Sequence, residues 1–245
     1  MSIKEKVEMQ IKLIECMKSS YNGLLWQTVL TGKMDGFCSI STSPTCNKYC
    51  QVYRLDPDKI CSKCYSCAAM EYRKSFLEKL VQNSLLLQER ILDFSELPLI
   101  LLPFYRLESH GDVANETQVI NYFNTCEKNP NTTFTVWTKN PVLYKNAIEA
   151  GHSKPENLII VLSSHYLNVV ADPSKYDFID IVFTVFTADY AIENNIVINC
   201  GGQKCINCLR CYTKHNGVIY INEMLKQEQK KYYKLLKLNG VNKHE

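Results

Sequence analysis

Thr133-Phe-Thr-Val-Trp-Thr138 and Leu158-Ile-Ile-Val-Leu-Ser163, with Asn140-Pro-Val-Leu-Tyr-Lys-Asn-Ala-Ile-Glu-Ala-Gly151 between them, decide the fold class. The two six-residue runs are rich in β-branched, aromatic and aliphatic residues and read as buried strands. Between them Asn140 stands as N-cap, Pro141 at the first helical position and Gly151 beyond the end, which predicts a helix over 141–150. Strand, helix and strand in that order make a unit of parallel sheet. Near-continuous Val, Ile, Leu and Phe belong to strands covered on both faces.

Working outward, residues 99–109 read as a strand and 116–127 as a helix, while 178–186 and the short 196–199 read as later strands. Toward the N-terminus a helix is predicted over 3–19, before Asn22-Gly23. A Gly-, Ser- and Cys-rich irregular segment follows over 31–67, then a long helix over 68–92 with Met70, Phe76, Leu77, Leu80 and Leu87 among its apolar positions. These units predict one α/β domain over 1–245, a mostly parallel sheet or partial (βα) barrel with cysteine-rich irregular segments at both ends. An N-terminal helical region over 1–22 and a basic C-terminal helix over 221–245 flank it. In the tail Lys226, Lys230, Lys231, Lys234 and Lys237 accompany Leu225, Tyr232, Leu235 and Leu236, the pattern of an amphipathic helix with a solvated basic face. In such folds the site lies at the carboxyl ends of the strands.

Composition removes several function classes. With 245 residues, 46% of them hydrophobic, the chain can bury a sizeable core, and a net charge of +3 gives no electrostatic argument for a nucleic-acid groove. No apolar run approaches the roughly 20 residues of a membrane span. Lys4, Glu5, Lys6, Glu8 and Lys12 interrupt the first segment, which reads as an amphipathic helix rather than a signal peptide and predicts a cytoplasmic protein. There is no Walker loop and no G-x-G-x-x-G, so nucleoside triphosphate and dinucleotide chemistry are unsupported, and nothing pairs a cysteine nucleophile with a histidine base.

In a reducing compartment the twelve cysteines stay as thiols unless a metal holds them. Cys200, Cys205, Cys208 and Cys211 place four thiols within a dozen residues, with Gly201 and Gly202 supplying backbone freedom. Both an iron–sulfur cluster and a tetrahedral four-thiolate zinc fit that run. Nearer the N-terminus Cys46, Cys50, Cys61, Cys64 and Cys67 also have ligand-like spacings, with Cys38 just upstream. Five thiols exceed the four that one tetrahedral zinc needs, so a second site and a site shared with the C-terminal run both remain open. Cys16 and Cys126 fall in helical patterns and read as ordinary buried thiols.

The strand ends supply the polar candidates. Arg106, Glu108 and His110 alternate, and a strand through them points all three to one face, with Asp112 at the following turn; Trp137 and Lys139 share a face by the same reasoning. Ionisable groups on an apolar strand are costly to bury unless they pair or meet a ligand. Ser163, Ser164 and His165 close another strand, and a lone histidine there is more often simply hydrogen-bonded.

Taken together, Gly32-Lys-Met-Asp-Gly36, Cys46, Cys61-Ser-Lys-Cys-Tyr65, the segment from Arg106 to Asp112, the strand from Thr135 to Lys139 and the run from Cys200 to Tyr212 resemble the phage gene product 88 family, over about residues 32–220. His110, Asn207 and Tyr212 depart from that family's pattern. The resemblance implies metal-ligand roles for Cys46, Cys61, Cys64, Cys200, Cys205, Cys208 and Cys211, with Cys50 and Cys67 as extras, and binding roles for the strand-end residues. More distantly, the chain is similar to radical S-adenosylmethionine enzymes, although their usual C-x3-C-x2-C run is interrupted here between Cys50 and Cys61. The expected protein is therefore an iron–sulfur protein of phage or mobile-element type, a radical S-adenosylmethionine-like enzyme acting on a small-molecule or macromolecular substrate. The alternative is a non-catalytic, zinc-stabilised module that binds nucleic acid or a host protein.

Overall fold

Eight strands form one sheet in the order in which the chain supplies them. In this computed structural model, which describes residues 1–14, 20–27 and 30–238, they are β1 (Ser20–Tyr21), β2 (Leu24–Gln27), β3 (Ser39–Ile40), β4 (Phe104–Leu107), β5 (Thr133–Thr138), β6 (Leu158–Ser163), β7 (Ile181–Phe186) and β8 (Ile219–Met224). β1, β2 and β3 pair antiparallel, and every pair from β3 to β8 is parallel. The helices are α1 (Ile3–Ile14), α2 (Lys48–Arg54), α3 (Tyr65–Tyr72), α4 (Lys74–Glu89), α5 (Glu116–Lys128), α6 (Val142–Glu149), α7 (Ala188–Glu193), α8 (Cys205–Cys208) and α9 (Gln229–Leu238). The fold is α/β with a mostly parallel sheet that is not closed into a barrel.

Consecutive order has a consequence for where a site forms. Right-handed crossovers that always step to the next strand carry their helices over one face of the sheet and leave the other to whatever the loops and chain ends bring. On the helical face Tyr105, Leu107, Phe134, Val136, Leu158, Ile160 and Leu162 bury against Val119, Tyr122, Phe123 and Tyr144 in the main core. Each such side chain contributes about 1.5–3 kcal/mol by leaving water. On the opposite face Ile159, Val161, Ile181 and Ile221 are buried together with Trp137, Phe183, Cys200 and Cys211 packed against them. All six residues of β6 are buried, which is why its sequence shows almost no alternation.

Several boundaries differ from the sequence reading for identifiable reasons. The strand expected over 99–109 is only Phe104–Leu107, because Thr133, the first residue of β5, already pairs with Phe104 and among the described residues no strand pairs with the chain before it. There Asn129 and Thr132 stand in for a neighbouring strand, Asn129 bonding Ile100 N at 2.6 Å and Pro98 O at 2.9 Å and Thr132 Oγ1 donating to Leu102 O at 2.7 Å. The long helix expected over 68–92 starts at Tyr65 and breaks at Arg73, whose φ of −131° and ψ of 84° separate α3 from α4. Pro141, not Asn140, occupies the cap position of α6, and Gly151 follows with φ 99°.

The strand expected over 196–199 is not formed. Asn199 N and Cys200 N instead both donate to Asn222 O on β8, at 3.1 and 3.0 Å. β8 itself lies where the tail helix was expected to begin, and α9 starts only after a short turn over Lys226–Glu228. The segment over 31–67 is not wholly irregular, since it contains α2 and 3-10 turns at Gly32–Met34, Pro44–Cys46 and Ile60–Lys63. Residues 15–19, including Cys16 and the end of the expected first helix, lie outside the described residues. Among the described residues no helix is long and apolar enough to cross a membrane.

Candidate functional site

The face of the sheet that carries no crossover helices forms the floor of a cavity of about 1,020 Å³, lined by strand residues at alternate positions: Arg106 from β4, Trp137 from β5, Ser163 from β6, Phe183 and Val185 from β7, Ile221 and Glu223 from β8. Lys139, two residues past Trp137 on the same face, stands at the carboxyl end of β5 and also lines it. Pleating alone accounts for this selection, since every second side chain of each parallel strand faces the same way.

One wall is the first cysteine segment. Cys50 on α2, Cys61 on its 3-10 turn and Cys64 at the start of α3 all line the cavity. Three contacts tie this segment to three successive strand ends. Asn47 caps α2 through Cys50 N at 3.3 Å while its Nδ2 donates to Asp112 O and Val113 O at 2.9 and 3.0 Å, after β4. Tyr49 Oη donates to Lys139 O at 2.5 Å, after β5, and meets His165 Nε2 at 2.8 Å, after β6. Ile60 N donates to His165 O at 2.9 Å. His165 is thus hydrogen-bonded through Nε2, while among the described residues its buried Nδ1 has no partner. Cys46 is exposed and does not line the cavity, and Cys67 is buried away from it against Met70 and Leu80, its thiol pushed up to about 11 chiefly by burial.

The opposite wall is the second cysteine run. Cys205 and Cys208 begin and end the single turn of α8, Leu209 takes a left-handed conformation with φ 51°, and the chain turns back through Cys211, so that these three and Cys200 all face the cavity. Phe37, Phe104, Ile206, Leu209 and Tyr212 anchor this loop as a small core of their own. Burial pushes Cys200 up to about 11 and Cys211 up to about 12; Glu223 adds to the first and Cys200 and Cys205 to the second. Lys33 and Arg106 oppose the rise at Cys205. Lys33 pairs with Glu223, and its Nζ lies 3.9 Å from Cys200 Sγ. Cys38 and Cys126 are buried in the main core.

The polar residues after β4 do not share a face, contrary to the alternation expected for them. β4 ends at Leu107, and Glu108 adopts a left-handed φ of 55°, which breaks the period. Its carboxylate turns under the loop, where it accepts from Thr42 N at 3.0 Å, Thr42 Oγ1 at 2.8 Å, Gln118 Nε2 at 2.6 Å and Tyr122 Oη at 2.5 Å. Burial nevertheless prevails over these bonds and raises it to about 7. His110 points to α3 and α4, with Nδ1 3.0 Å from Ser66 Oγ and its ring edge-on to Phe76; burial and then Arg106 lower it to about 4. Asp112 accepts from Lys139 N at 2.7 Å and Val113 N at 2.8 Å, and burial raises it to about 6. Arg106 reaches the floor from within β4, its guanidinium 3.3 Å from the centre of the Trp137 ring, while Glu108 and Asp112 line the same cavity from the loop and His110 does not line it. Lys139 Nζ donates to Ser163 Oγ at 2.6 Å, and burial lowers its pKa against the pull of Cys61 and Asp112.

No protein family, no curated protein and no solved structure matches this chain. The chemistry of the site therefore rests on its own residues. Thiols and cations alternate around one cavity: Lys33 and Arg106 beside the second cysteine run, Lys139 beside the first. A set of thiolates around iron or zinc is anionic and gains from such neighbours, so the donor set fits a sulfur-ligated metal in kind and in charge. Among the described residues no three His, Cys, Asp or Glu side chains stand close enough to hold a metal ion, so ligation requires the thiols to close in.

No sequence pattern marks Tyr49, Asn47 and Lys33 as part of the site's frame. They sit in a segment without periodicity, where only the pattern of strand ends reveals what they hold.

Proposed function

We propose that the chain is an iron–sulfur metalloprotein of phage or mobile-element type, with its chemistry carried out in the cavity over the parallel strands. The observation that carries this reading is the convergence of Cys50, Cys61 and Cys64 with Cys200, Cys205, Cys208 and Cys211 on one cavity, although the two groups are well over a hundred residues apart in sequence. A protein that needed cysteines only to brace its chain ends has no reason to aim both groups into the same space. The resemblance to the gene product 88 family and, more distantly, to radical S-adenosylmethionine enzymes points the same way. In this reading the second run holds a cluster within its own loop, and the first supplies Cys61 and Cys64, with Cys50 in better position than Cys46 to be their companion.

Held by these thiols, such a cluster would supply one-electron reducing power to a cofactor such as S-adenosylmethionine. The chain's own residues do the rest. Arg106, seated over the Trp137 ring, and Lys139 orient ligands on the floor, while Glu108 and Asp112 hold the strand-end loop at the edge of the same cavity. The test is anaerobic purification with metal, acid-labile sulfide and absorbance measured together. Brown protein with iron and sulfide in comparable amounts is expected. Colourless protein with stoichiometric zinc overturns the proposal in favour of a zinc-stabilised binding module.

A further inference from the structure

Two cations on the cavity floor lack the carboxylate partners that such groups ordinarily have when taken out of water. Among the described residues Arg106 hydrogen-bonds only to the Glu108 carbonyl, through Nε and Nη2 at 3.3 Å each, and Lys139 Nζ bonds the neutral hydroxyl of Ser163. Neither forms a salt bridge among the described residues. The hydrogen bonds of the two nearby carboxylates go elsewhere, those of Glu108 to Thr42, Gln118 and Tyr122 and those of Asp112 to the backbone of Val113 and Lys139, so that Asp112 acts on the Lys139 ammonium only through space. Partly buried charges left without a counter-charge are costly, and at the floor of an open cavity the missing counter-charge is supplied by a ligand.

The remainder of the floor has the opposite character. Phe183 and Val185 present half-buried apolar side chains to the same cavity, and Leu167 and Val169 continue that surface toward the mouth. The Arg106 guanidinium sits over the Trp137 ring, and among the described residues its Nη1 has no hydrogen-bond partner. Lys139 lies two residues further along β5 than Trp137, roughly 7 Å along the strand. Both cations and the apolar side chains thus line one cavity.

We infer that the cavity takes an anionic ligand with an apolar body, a phosphate ester or a carboxylic acid, whose charged group lies between Arg106 and Lys139 and whose apolar part lies against Phe183 and Val185. This goes beyond the iron–sulfur reading and does not depend on it.

Calorimetric titration of the full chain with phenyl phosphate, benzoate and benzyl alcohol tests it, with Trp137 fluorescence as a second readout. At least one anion binds about tenfold or more tightly than the neutral alcohol, and which anion binds better distinguishes a phosphate ester from a carboxylate. Arg106→Gln and Lys139→Gln each weaken that anion about tenfold or more and leave the alcohol unchanged, with circular dichroism confirming the fold. Equal affinity for all three probes, or no binding of any, overturns the inference in the unsubstituted chain, whether or not the variants fold. Retained anion affinity in both folded variants overturns it too, and shows the cations to be counter-charges for thiolates alone. Metal analysis of the same preparation keeps the two proposals separate, since anion binding by a colourless zinc protein removes only the iron–sulfur reading.

Discussion

Glu108 is the residue whose surroundings most clearly set a measurable property. Its four hydrogen bonds favour the carboxylate, but burial favours the acid more, so the folded chain keeps its proton up to about pH 7 against 4.5 for an ordinary glutamate. Between those values the folded state binds more protons than the unfolded state, and this group's contribution to stability falls as pH rises. Asp112, raised from 3.8 to about 6, acts in the same direction, while His110, lowered from 6.5 to about 4, acts in the opposite one. A difference between variant and parent isolates the glutamate. Glu108→Gln should lose stability at pH 5, where the parent's acid form is well accommodated, and recover about 2 kcal/mol relative to the parent by pH 7. Urea denaturation at both values checks this, and a constant difference would show that Glu108 does not titrate there. Three residues on, Gly111 has φ 82°, and a Cβ there would meet Thr42 O at 2.6 Å and Glu108 Oε2 at 3.2 Å. Gly111→Ala combines backbone strain with a clash against backbone, and a loss of about 2–4 kcal/mol in the same assay is expected.

At the scale of elements, amide side chains join what the backbone ladders do not. Asn83 on α4 donates to Leu25 O at 2.6 Å and Ser41 O at 2.8 Å and accepts from Leu25 N at 2.8 Å, so one residue fastens the helix to β2 and to the loop after β3. Asn83→Leu fits the volume but strands those buried backbone groups. It should cost about 2–4 kcal/mol and speed hydrogen exchange at Leu25 more than at Val136 in the sheet centre. Equal exchange at both amides would show that Asn83 is not the fastening. The same logic explains which elements were legible in advance. β5 and β6 were read with both ends right because both their faces are covered by the protein itself. β8 was missed because Asn222 and Glu223 interrupt it and its last residues adjoin the lysine-rich tail. The break at Arg73 leaves the apolar spacing of α3 and α4 nearly continuous, so periodicity alone reads one helix. Among site residues, Trp137 and Lys139 are legible as strand-end side chains on one face, whereas Arg106 is legible only in the wrong company of Glu108 and His110, because the turn at Glu108 depends on Thr42, Gln118 and Tyr122 closing around its carboxylate. No local pattern carries that.

For the whole molecule, the division of labour between the two faces of the sheet separates the main core from the cysteine-bearing walls where the proposed metal would sit. The main core joins β4, β5 and β6 to α4, α5 and α6 and contains Cys38 and Cys126, neither of which lines the cavity. The cavity cysteines belong to segments held by small clusters, Phe37, Ile206, Leu209 and Tyr212 on one wall and Cys67, Met70 and Leu80 behind the other. Removing a metal from such walls takes away their cross-link but leaves the larger apolar core in place, unlike a small domain whose folding is metal binding. Chelation of the metal-loaded chain should therefore raise hydrogen exchange, and protease cutting, over residues 44–67 and 199–215 while amides of β5 and β6 stay protected. Serine at both Cys205 and Cys208 should reproduce the C-terminal half of that pattern and leave residues 44–67 protected, because the Asn47, Tyr49 and Ile60 contacts with the strand ends do not involve the second run. Loss of protection in β5 and β6 on chelation would contradict this division, and would mean that the sheet depends on the metal for its stability.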